Sequence, residues 1–305
     1  MKDFKKFMLS SVLFMIIFLI VDHLAALMIE HGLKKYYGID TNAEILINGS
    51  SQIMLGFDKQ KIQDKTGLRV AKYTREGVNI SDRYIMINHF LRNKPDSLKV
   101  VVYSTDQFLF TGEDLSVNSY TLFYPFMDDP KISEYIKQNS RNWYEYYIRK
   151  YIKCTRFDLL LINSSIRGYR GDWSNKKSGT VNLEELINNI KTGKVRKINS
   201  APANVEVFNK TMQLLLERRV KVILLYIPYV DKLEYNDLKR AEVIALFRKF
   251  ADSNQNVCFV DLTSELASHH QWYFDPNHLN PEGQKVATEK LIDSIKLIST
   301  TKMAP

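Results

Sequence analysis

An aspartate and a histidine lie three residues apart near the C-terminal end of the chain. Asp275 and His278 sit in the stretch 273–283, which closes with Pro281 and Gly283 at a helix start. This spacing can set a carboxylate against an imidazole, where the carboxylate fixes the ring tautomer and stabilises the imidazolium cation. The pair is the orienting half of a nucleophile relay, and its histidine needs a nucleophile from elsewhere in the chain.

A hydroxyl nucleophile is available directly after the first predicted strand. Residues 44–48 form a short apolar run that leads into Gly49, Ser50 and Ser51, and an apolar helix start follows. Ligands of open α/β sheets bind at the carboxyl ends of the strands, and the loop before the last helix reaches the same edge. The residues therefore predict Ser51 or Ser50 as the nucleophile, His278 as its base and an orienting aspartate.

An acyl-transfer site also needs donors for the oxyanion that forms on the substrate. The backbone N–H of Ser51 would begin a helix and is one candidate, and Gly77, in the next strand-to-helix turn, offers a second. The side chain of Asn79 is a third candidate. One such donor lowers the barrier by about 3 to 4 kcal/mol.

Strands and helices alternate around these residues, which predicts one large α/β domain over residues 43–300. The predicted strands are 44–48, 69–74, 98–103, 220–227 and 257–262, and the predicted helices are 82–91, 205–218, 237–251 and 281–298. Such alternation favours a parallel sheet with right-handed crossovers. We expect a three-layer α/β/α sandwich with a mostly parallel, flavodoxin-like sheet, followed by a tail at 301–305.

The segment 107–203 interrupts this alternation. It holds many of the aromatic residues and predicted helices near 132–152 and 183–190. We interpret it as an insertion that packs over the sheet edge. It is either a plain helical subdomain or a lid that grips the substrate.

The N-terminal region contains an apolar run long enough to cross a membrane. Residues 7–29 are almost wholly apolar, and basic residues precede them within 1–6, so we predict an uncleaved transmembrane anchor with a cytoplasmic N-terminus. A juxtamembrane linker over 30–42 would lead to an exported domain. The alternative is a cleaved signal peptide. Asp22 and His23 interrupt the run and are expected near the outer interface, where they reach water or headgroups, unless a partner membrane protein uses them.

Composition excludes several other classes of function. The 305-residue chain carries a formal charge of +9, yet it has no basic run with interleaved aromatics, so we expect no nucleic-acid partner. Its two cysteines, Cys154 and Cys258, lack metal or redox spacing, and no HExxH-like pattern is present. We expect no metal and no cofactor. His269 and His270 are expected to face solvent.

Three motifs together resemble the SGNH/GDSL hydrolase superfamily over about residues 43–298. They are Gly49-Ser50-Ser51 after the first strand, Gly77 in the second turn, and Asp-Pro-Asn-His-Leu-Asn at 275–280. By position in the first motif, the resemblance implies that Ser51 is the nucleophile and Ser50 the alternative. The chain departs from the family pattern twice. Ser50 replaces the usual Asp, and Tyr-Ser-Thr-Asp at 103–106 lacks the Asn of the third block.

A sequence with these two departures and an N-terminal anchor resembles an exported branch of that superfamily. The branch includes the D-alanyl-transfer protein of teichoic-acid modification and polysaccharide O-acetyl-transfer proteins. The resemblance implies a membrane-anchored extracytoplasmic serine esterase or O-acyltransferase that acts on esters of a cell-envelope polymer, with a membrane-bound O-acyltransferase as a partner. The alternative is an assembly or binding partner of such a transferase that keeps the fold but has little catalysis of its own.

Overall fold

The computed structural model describes residues 2–39, 41–93, 97–111, 119–233 and 237–300. The predicted tail at 301–305 lies outside the described residues. The chain divides into two compact units. A helical unit consists of Met1–Tyr36 and Tyr120–Asp172, and a sheet unit consists of Tyr37–Ser119 and Trp173–Pro305. The predicted insertion 107–203 is therefore shared, because its middle belongs to the helical unit and its two ends to the sheet unit.

The sheet unit is built on five strands that are all parallel. They are β1 (Ile45–Gly49), β2 (Val70–Thr74), β3 (Val100–Thr105), β4 (Lys221–Tyr226) and β5 (Val257–Asp261). Their order across the sheet is β2-β1-β3-β4-β5. This is the flavodoxin-like order, and the chain reverses its direction of progress between β1 and β3. The predicted parallel sheet is confirmed, and each predicted strand lies within two residues of the observed one.

Helices cover both faces of this sheet. On one face lie α2 (Ser51–Gly56), α3 (Lys59–Thr66) and α12 (Pro281–Thr300), and on the other lie α4 (Ile80–Asn93), α9 (Pro202–Glu217) and α10 (Asp237–Asp252). Ile47 belongs to the core cluster with Ile53 of α2 and Leu291 of α12. On the opposite face, Tyr103 contacts the ring of Phe208 in α9. β1 to β4 are buried throughout, which explains why their sequences are mostly apolar.

Shorter elements complete the sheet unit near the carboxyl edge of the strands. They are α8 (Leu183–Lys191), α11 (Thr263–Leu266) and an antiparallel pair of short strands, β6 (Tyr273–Asp275) and β7 (His278–Leu279). The tight turn between β6 and β7 carries the predicted Asp–His pair. The architecture is the three-layer α/β/α sandwich that the sequence predicts, since α/β alternation leaves few other ways to bury both sheet faces.

The helical unit contains α1 (Lys2–Tyr37), α5 (Pro130–Asn139), α6 (Trp143–Tyr151) and α7 (Leu159–Arg170). The helical stretch predicted near 132–152 consists of two helices, because the chain breaks between α5 and α6. Ser140 ends α5 with an extended backbone, and its hydroxyl donates to the carbonyl of Ile136 at 2.7 Å. Polar residues of this kind bind nearby backbone groups in competition with the helix. An aromatic-rich pattern did not reveal that local competition.

Helix α1 is long and apolar enough to cross a membrane. Its C-terminal half packs closely against α7 at two glycines, Gly32 and Gly168. A Cβ added to Gly168 would lie 2.0 Å from the carbonyl oxygen of Gly32 and would collide with it. Asp22 is 5% exposed and accepts hydrogen bonds from the backbone N–H groups of Lys153 and Cys154 at 2.7 and 2.6 Å. The expectation that Asp22 reaches water or headgroups is therefore wrong. A contact between segments about 130 residues apart gives no signal in the local sequence.

Candidate active site

The turn from β1 into α2 places two serines at the carboxyl edge of the sheet. Ser50 is the N-cap residue of α2 and Ser51 is its first helical residue. The turn follows Gly49, whose φ is +157° and whose added Cβ would lie 2.4 Å from Cβ of Ser104 and 2.8 Å from Ile53. A residue with a side chain would collide with both β3 and α2. The glycine thus lets the strand end pack closely enough to aim the hydroxyl that follows it.

Replacing Gly49 by alanine should misplace the serine turn. We expect Gly49→Ala to lower the free energy of unfolding by about 2 to 4 kcal/mol, because the new Cβ forces backbone to shift in a packed core. Urea denaturation measures the loss. Gly67→Ala is the matched control, since Gly67 has φ +71° but no atom within 4 Å of the added Cβ. A cost of about 1 kcal/mol is expected there, and equal costs at both sites would contradict the packing argument.

The structure brings Ser51, His278 and Asp275 together in one hydrogen-bonded line. His278 Nε2 lies 2.8 Å from Ser51 Oγ, and His278 Nδ1 lies 2.7 Å from Asp275 Oδ2. The two contacts use opposite nitrogens of the same ring. An Nδ1 proton donated to the carboxylate leaves Nε2 free to accept the serine proton. The alternative, Ser50, is 6% exposed and lines the same cavity, but the hydrogen bond to His278 comes from Ser51.

The carboxylate of Asp275 is held in its charged form by several donors. Burial raises its pKa, but hydrogen bonds from the His278 ring and from the backbone N–H groups of Asn277 and His278 outweigh burial and leave the pKa lowered. Ionised Asp275 therefore stabilises the folded state above its unfolded pKa of about 3.9. This stabilisation is lost as the pH falls through the lower folded-state pKa. At neutral pH the orienting group is an anion.

Four hydrogen bonds fix the β6–β7 turn and the start of α12 at the sheet edge. The N–H of Val230 donates to the carbonyl of Pro276 at 3.0 Å, and Gln52 Nε2 donates to the carbonyl of Asn277 at 3.3 Å. Asn280 donates to the carbonyl of Gln271 at 2.7 Å and accepts from the first turn of α12 through the N–H of Gly283. Sequence analysis did not assign a role to Gln52 or Asn280. An asparagine before Pro-Glu-Gly is the capping signal that could have identified the latter.

The predicted oxyanion donors line one cavity with the serine and the histidine. The cavity has a volume of about 500 Å³, and Ser51, Gly77, Asn79 and His278 all line it. Among the described residues, the backbone N–H groups of Ser51 and Gly77 donate no hydrogen bond. The side chain of Asn79 is partly engaged, because its Oδ1 accepts from the N–H of Asp82 at 2.9 Å and so caps α4.

In the family pattern, the third motif supplies an Asn to the site. Here the corresponding residues, 103–106 at the end of β3, contain no Asn. Thr105 is fully buried, and its hydroxyl has no hydrogen-bond partner among the described residues. The cavity wall beside it carries Arg83 and Asp106 instead. Arg83 is 3% exposed and donates to the carbonyl of Ser104 at 2.7 Å, while its other amino group lies 3.8 Å from the Asp106 carboxylate. Arg83 was not among the predicted site residues, because a single cation on an amphipathic helix gives no signal that it points inward.

A second His–Asp pair lies in the sheet unit, but it does not line the cavity that contains Ser51. His270 Nε2 lies 2.6 Å from Asp231 Oδ1. His269 stacks on Trp272 with ring centroids 4.0 Å apart. The prediction that His269 and His270 face solvent is therefore wrong, since both are half-buried. Cys154 and Cys258 are free thiols.

Searches against protein-family models and curated proteins find no match for this chain. Solved structures that it matches include a proposed platelet activating factor from Streptococcus pneumonia, at 12% identity and TM-score 0.43 over 94% of this chain and 98% of that one. A proposed acylhydrolase from Bacteroides fragilis matches at 13% identity and TM-score 0.40 over 83% and 87%. The catalytic domain of peptidoglycan O-acetyltransferase A from Streptococcus pneumoniae matches at 11% identity and TM-score 0.36 over 84% and 94%. Similarities at this level of identity and TM-score do not support an inference about function. Only the geometry of the site supports one.

Proposed function

We propose that this chain is an SGNH-type serine esterase or O-acyltransferase that works through an acyl-enzyme. The 2.8 Å contact between Ser51 Oγ and His278 Nε2, with Asp275 on the far side of the same ring, carries the proposal. A serine hydroxyl is a weak nucleophile at neutral pH, and a base held at hydrogen-bond distance is what activates it. The sequence resemblance to SGNH/GDSL hydrolases supports the same reaction class.

The reaction would proceed by two acyl transfers. Ser51 Oγ attacks the acyl carbonyl carbon of an ester while His278 takes the hydroxyl proton, and a tetrahedral oxyanion forms. When the C–O bond to the alcohol breaks, His278 gives its proton to the departing oxygen. Water or a sugar hydroxyl then attacks the Ser51 ester with His278 again as base, and Ser51 leaves as the free hydroxyl. Water as the acceptor gives an esterase, and a sugar gives a transferase.

The oxyanion would be held by backbone donors. The N–H groups of Ser51 and Gly77 line the cavity and have no acceptor among the described residues, so both can donate to a new charge. Ser51 also lies at the positive end of a short helix. The carboxamide of Asn79 is the candidate for a third donor. Its Nδ2 lies 3.4 Å from Ser119 Oγ, a long contact that a substrate oxygen could replace.

The proposed site of action is the cell envelope. Helix α1 would anchor the chain through residues 7–29, with the basic residues Lys5 and Lys6 keeping the N-terminus cytoplasmic and the sheet unit outside. The sequence resemblance supports esters of a cell-envelope polysaccharide or related polymer as the substrate. It also supports a membrane-bound O-acyltransferase as a partner.

A second candidate function is an assembly or binding role beside that transferase, with little catalysis. The third block favours it, because Thr105 stands where the family pattern has an Asn, and its hydroxyl is buried without a hydrogen-bond partner among the described residues. Incomplete stabilisation of the oxyanion would leave the serine relay intact but slow. Reactivity of the serine toward a covalent probe separates the two functions.

A fluorophosphonate probe tests the proposal directly. We expect the wild-type chain to be labelled, Ser51→Ala to be unlabelled and Ser50→Ala to keep its labelling, because the proton acceptor contacts Ser51 only. In-gel fluorescence of the full-length chain in membranes measures labelling. An unlabelled wild-type chain would favour the assembly role. Labelling that survives Ser51→Ala and disappears in Ser50→Ala would move the nucleophile to Ser50.

A further inference from the structure

The depth of Asp22 along α1 locates part of the helical unit relative to the bilayer. This step rests on the proposed anchoring of α1. A hydrocarbon core about 30 Å thick is crossed by about 20 helical residues at about 1.5 Å each. Counted from Phe7, directly after Lys6, the core ends near Ala26. Asp22 then lies about one turn inside the core rather than outside it.

The segment that binds Asp22 must lie at the same depth. The Asp22 carboxylate accepts hydrogen bonds from the N–H groups of Lys153 and Cys154, so this backbone lies about one turn inside the outer end of the span. Non-helical backbone at membrane depth requires that its polar groups be satisfied within the protein. These two hydrogen bonds satisfy the buried Asp22 carboxylate. They also satisfy the two backbone N–H groups, which lie at the start of a 3-10 turn.

The charges on this segment are also paired inside the protein. Arg156 is 2% exposed, and its guanidinium contacts Asp128 at 3.0 Å and the carbonyl of Arg149 at 2.7 Å. Lys153 Nζ lies 2.6 Å from the same Asp128 carboxylate. Asp128 and Asp22 together thus balance the two cations. Lipid would meet a segment whose charged groups are already neutralised.

Many of the exposed side chains around this segment are aromatic or apolar, and they lie beside exposed polar ones such as Lys150 and Asp158. We call six of the aromatic and apolar ones the membrane collar: Trp143 (76% exposed), Tyr144 (50%), Tyr147 (40%), Tyr151 (65%), Leu159 (84%) and Leu160 (75%). Trp143, Tyr147 and Tyr151 are spaced four residues apart on α6, and neighbouring rings contact one another. Trp and Tyr prefer the headgroup region of bilayers, where one end of the ring is apolar and the other is wet. Exposed leucines beside them would otherwise lie in water.

We propose that the membrane collar inserts into the outer interfacial layer of the bilayer, so that the helical unit rests in the lipid beside α1. The occupant of this apolar surface is lipid, because Tyr151 lies two residues before the backbone that binds Asp22, and Asp22 lies within the span of α1. The chain is then held by two apolar contacts with the bilayer rather than by a single helix.

Brominated lipids test the membrane collar through tryptophan fluorescence. The full-length chain is reconstituted into phosphatidylcholine vesicles that carry bromine either near the headgroup end of the acyl chains or near their terminal methyl group. We expect strong quenching by the shallow label and less by the deep one. Trp143→Phe should remove most of this quenching, and adding Leu159→Trp to that variant should restore it. Leu238→Trp in the same background is the matched control, an equally exposed leucine of the sheet unit, 80% exposed, whose emission should stay unquenched.

Two outcomes would overturn the proposal in distinguishable ways. If alkaline carbonate extracts the chain from vesicles, α1 is not a membrane anchor, and the proposal for the membrane collar is wrong as well. If the chain resists extraction but neither Trp143 nor Leu159→Trp is quenched above the Leu238→Trp level, the anchor stands and the collar does not bind lipid. The exposed rings would then contact a protein partner or water.

Discussion

Replacement of His278 by alanine is expected to lower kcat for hydrolysis of a simple ester such as p-nitrophenyl acetate by about 10⁴- to 10⁶-fold. Among the described side chains, His278 alone forms a hydrogen bond with the Ser51 hydroxyl, so its loss removes the proton acceptor and the proton donor of both half-reactions. Because serine and histidine act as one unit, the Ser51→Ala/His278→Ala double variant should be no slower than either single variant. Steady-state and burst kinetics on purified protein measure these rates.

The matched control for this prediction is His270→Ala. His270 also pairs with an aspartate, Asp231, at 2.6 Å, but it does not line the cavity. We expect this variant to keep kcat within a few-fold of wild type. Additive losses in the double variant, or an equal loss in His270→Ala, would contradict a relay centred on His278.

Replacement of Asp275 by asparagine is expected to lower kcat by about 10⁴-fold while leaving the fold intact. The asparagine can occupy the same space, but its amide group can present N–H to the ring. It then favours the tautomer in which Nε2 carries the proton and cannot accept from Ser51. It also removes the negative charge that stabilises the His278 cation. The measurement is kcat over pH for wild type and variant, with circular dichroism as the check on folding.

Asp231→Asn is the matched control for the aspartate. It alters the other His–Asp contact in the same way, so any loss there measures the structural cost of such an exchange. A loss of less than about tenfold in Asp275→Asn would contradict the orienting role. It would leave Ser51 and His278 as a dyad.

Local patterns were sufficient to predict most of the sheet unit. Valine-rich and isoleucine-rich runs predicted the strands, because strands buried on both faces must be apolar along their whole length. The alternation with helices then restricted the topology to a parallel sheet. Asp275 and His278 were predicted as a pair because a contact over one turn is encoded in local spacing. A serine nucleophile, Ser51 or Ser50, was predicted because a strand end followed by a helix start fixes the edge at which its hydroxyl lies, and the family resemblance favoured Ser51.

Local patterns failed where a distant segment decides the environment of a residue. Arg83 lies on a helix with no motif around it, and its place in the cavity wall follows from how α4 packs beside β3. His269 and His270 look like loop residues until Trp272 and Asp231 are placed against them. The break between α5 and α6 depends on whether polar side chains bind the backbone, a competition that propensity alone does not decide.

The sequence by itself therefore determined the fold class, the presence of an apolar helix, and the residues from which a relay can form, with Ser51 and Ser50 both open as the nucleophile. Each follows from composition or spacing over a few residues. Only the tertiary structure decided that Nε2 of His278 meets Ser51 rather than Ser50, and that Asp22 binds backbone N–H groups about 130 residues away. The physical reason is that hydrogen bonds require angstrom-scale placement of groups from separate elements. The packing of Gly49 against Ser104, and of Gly32 against Gly168, sets that placement.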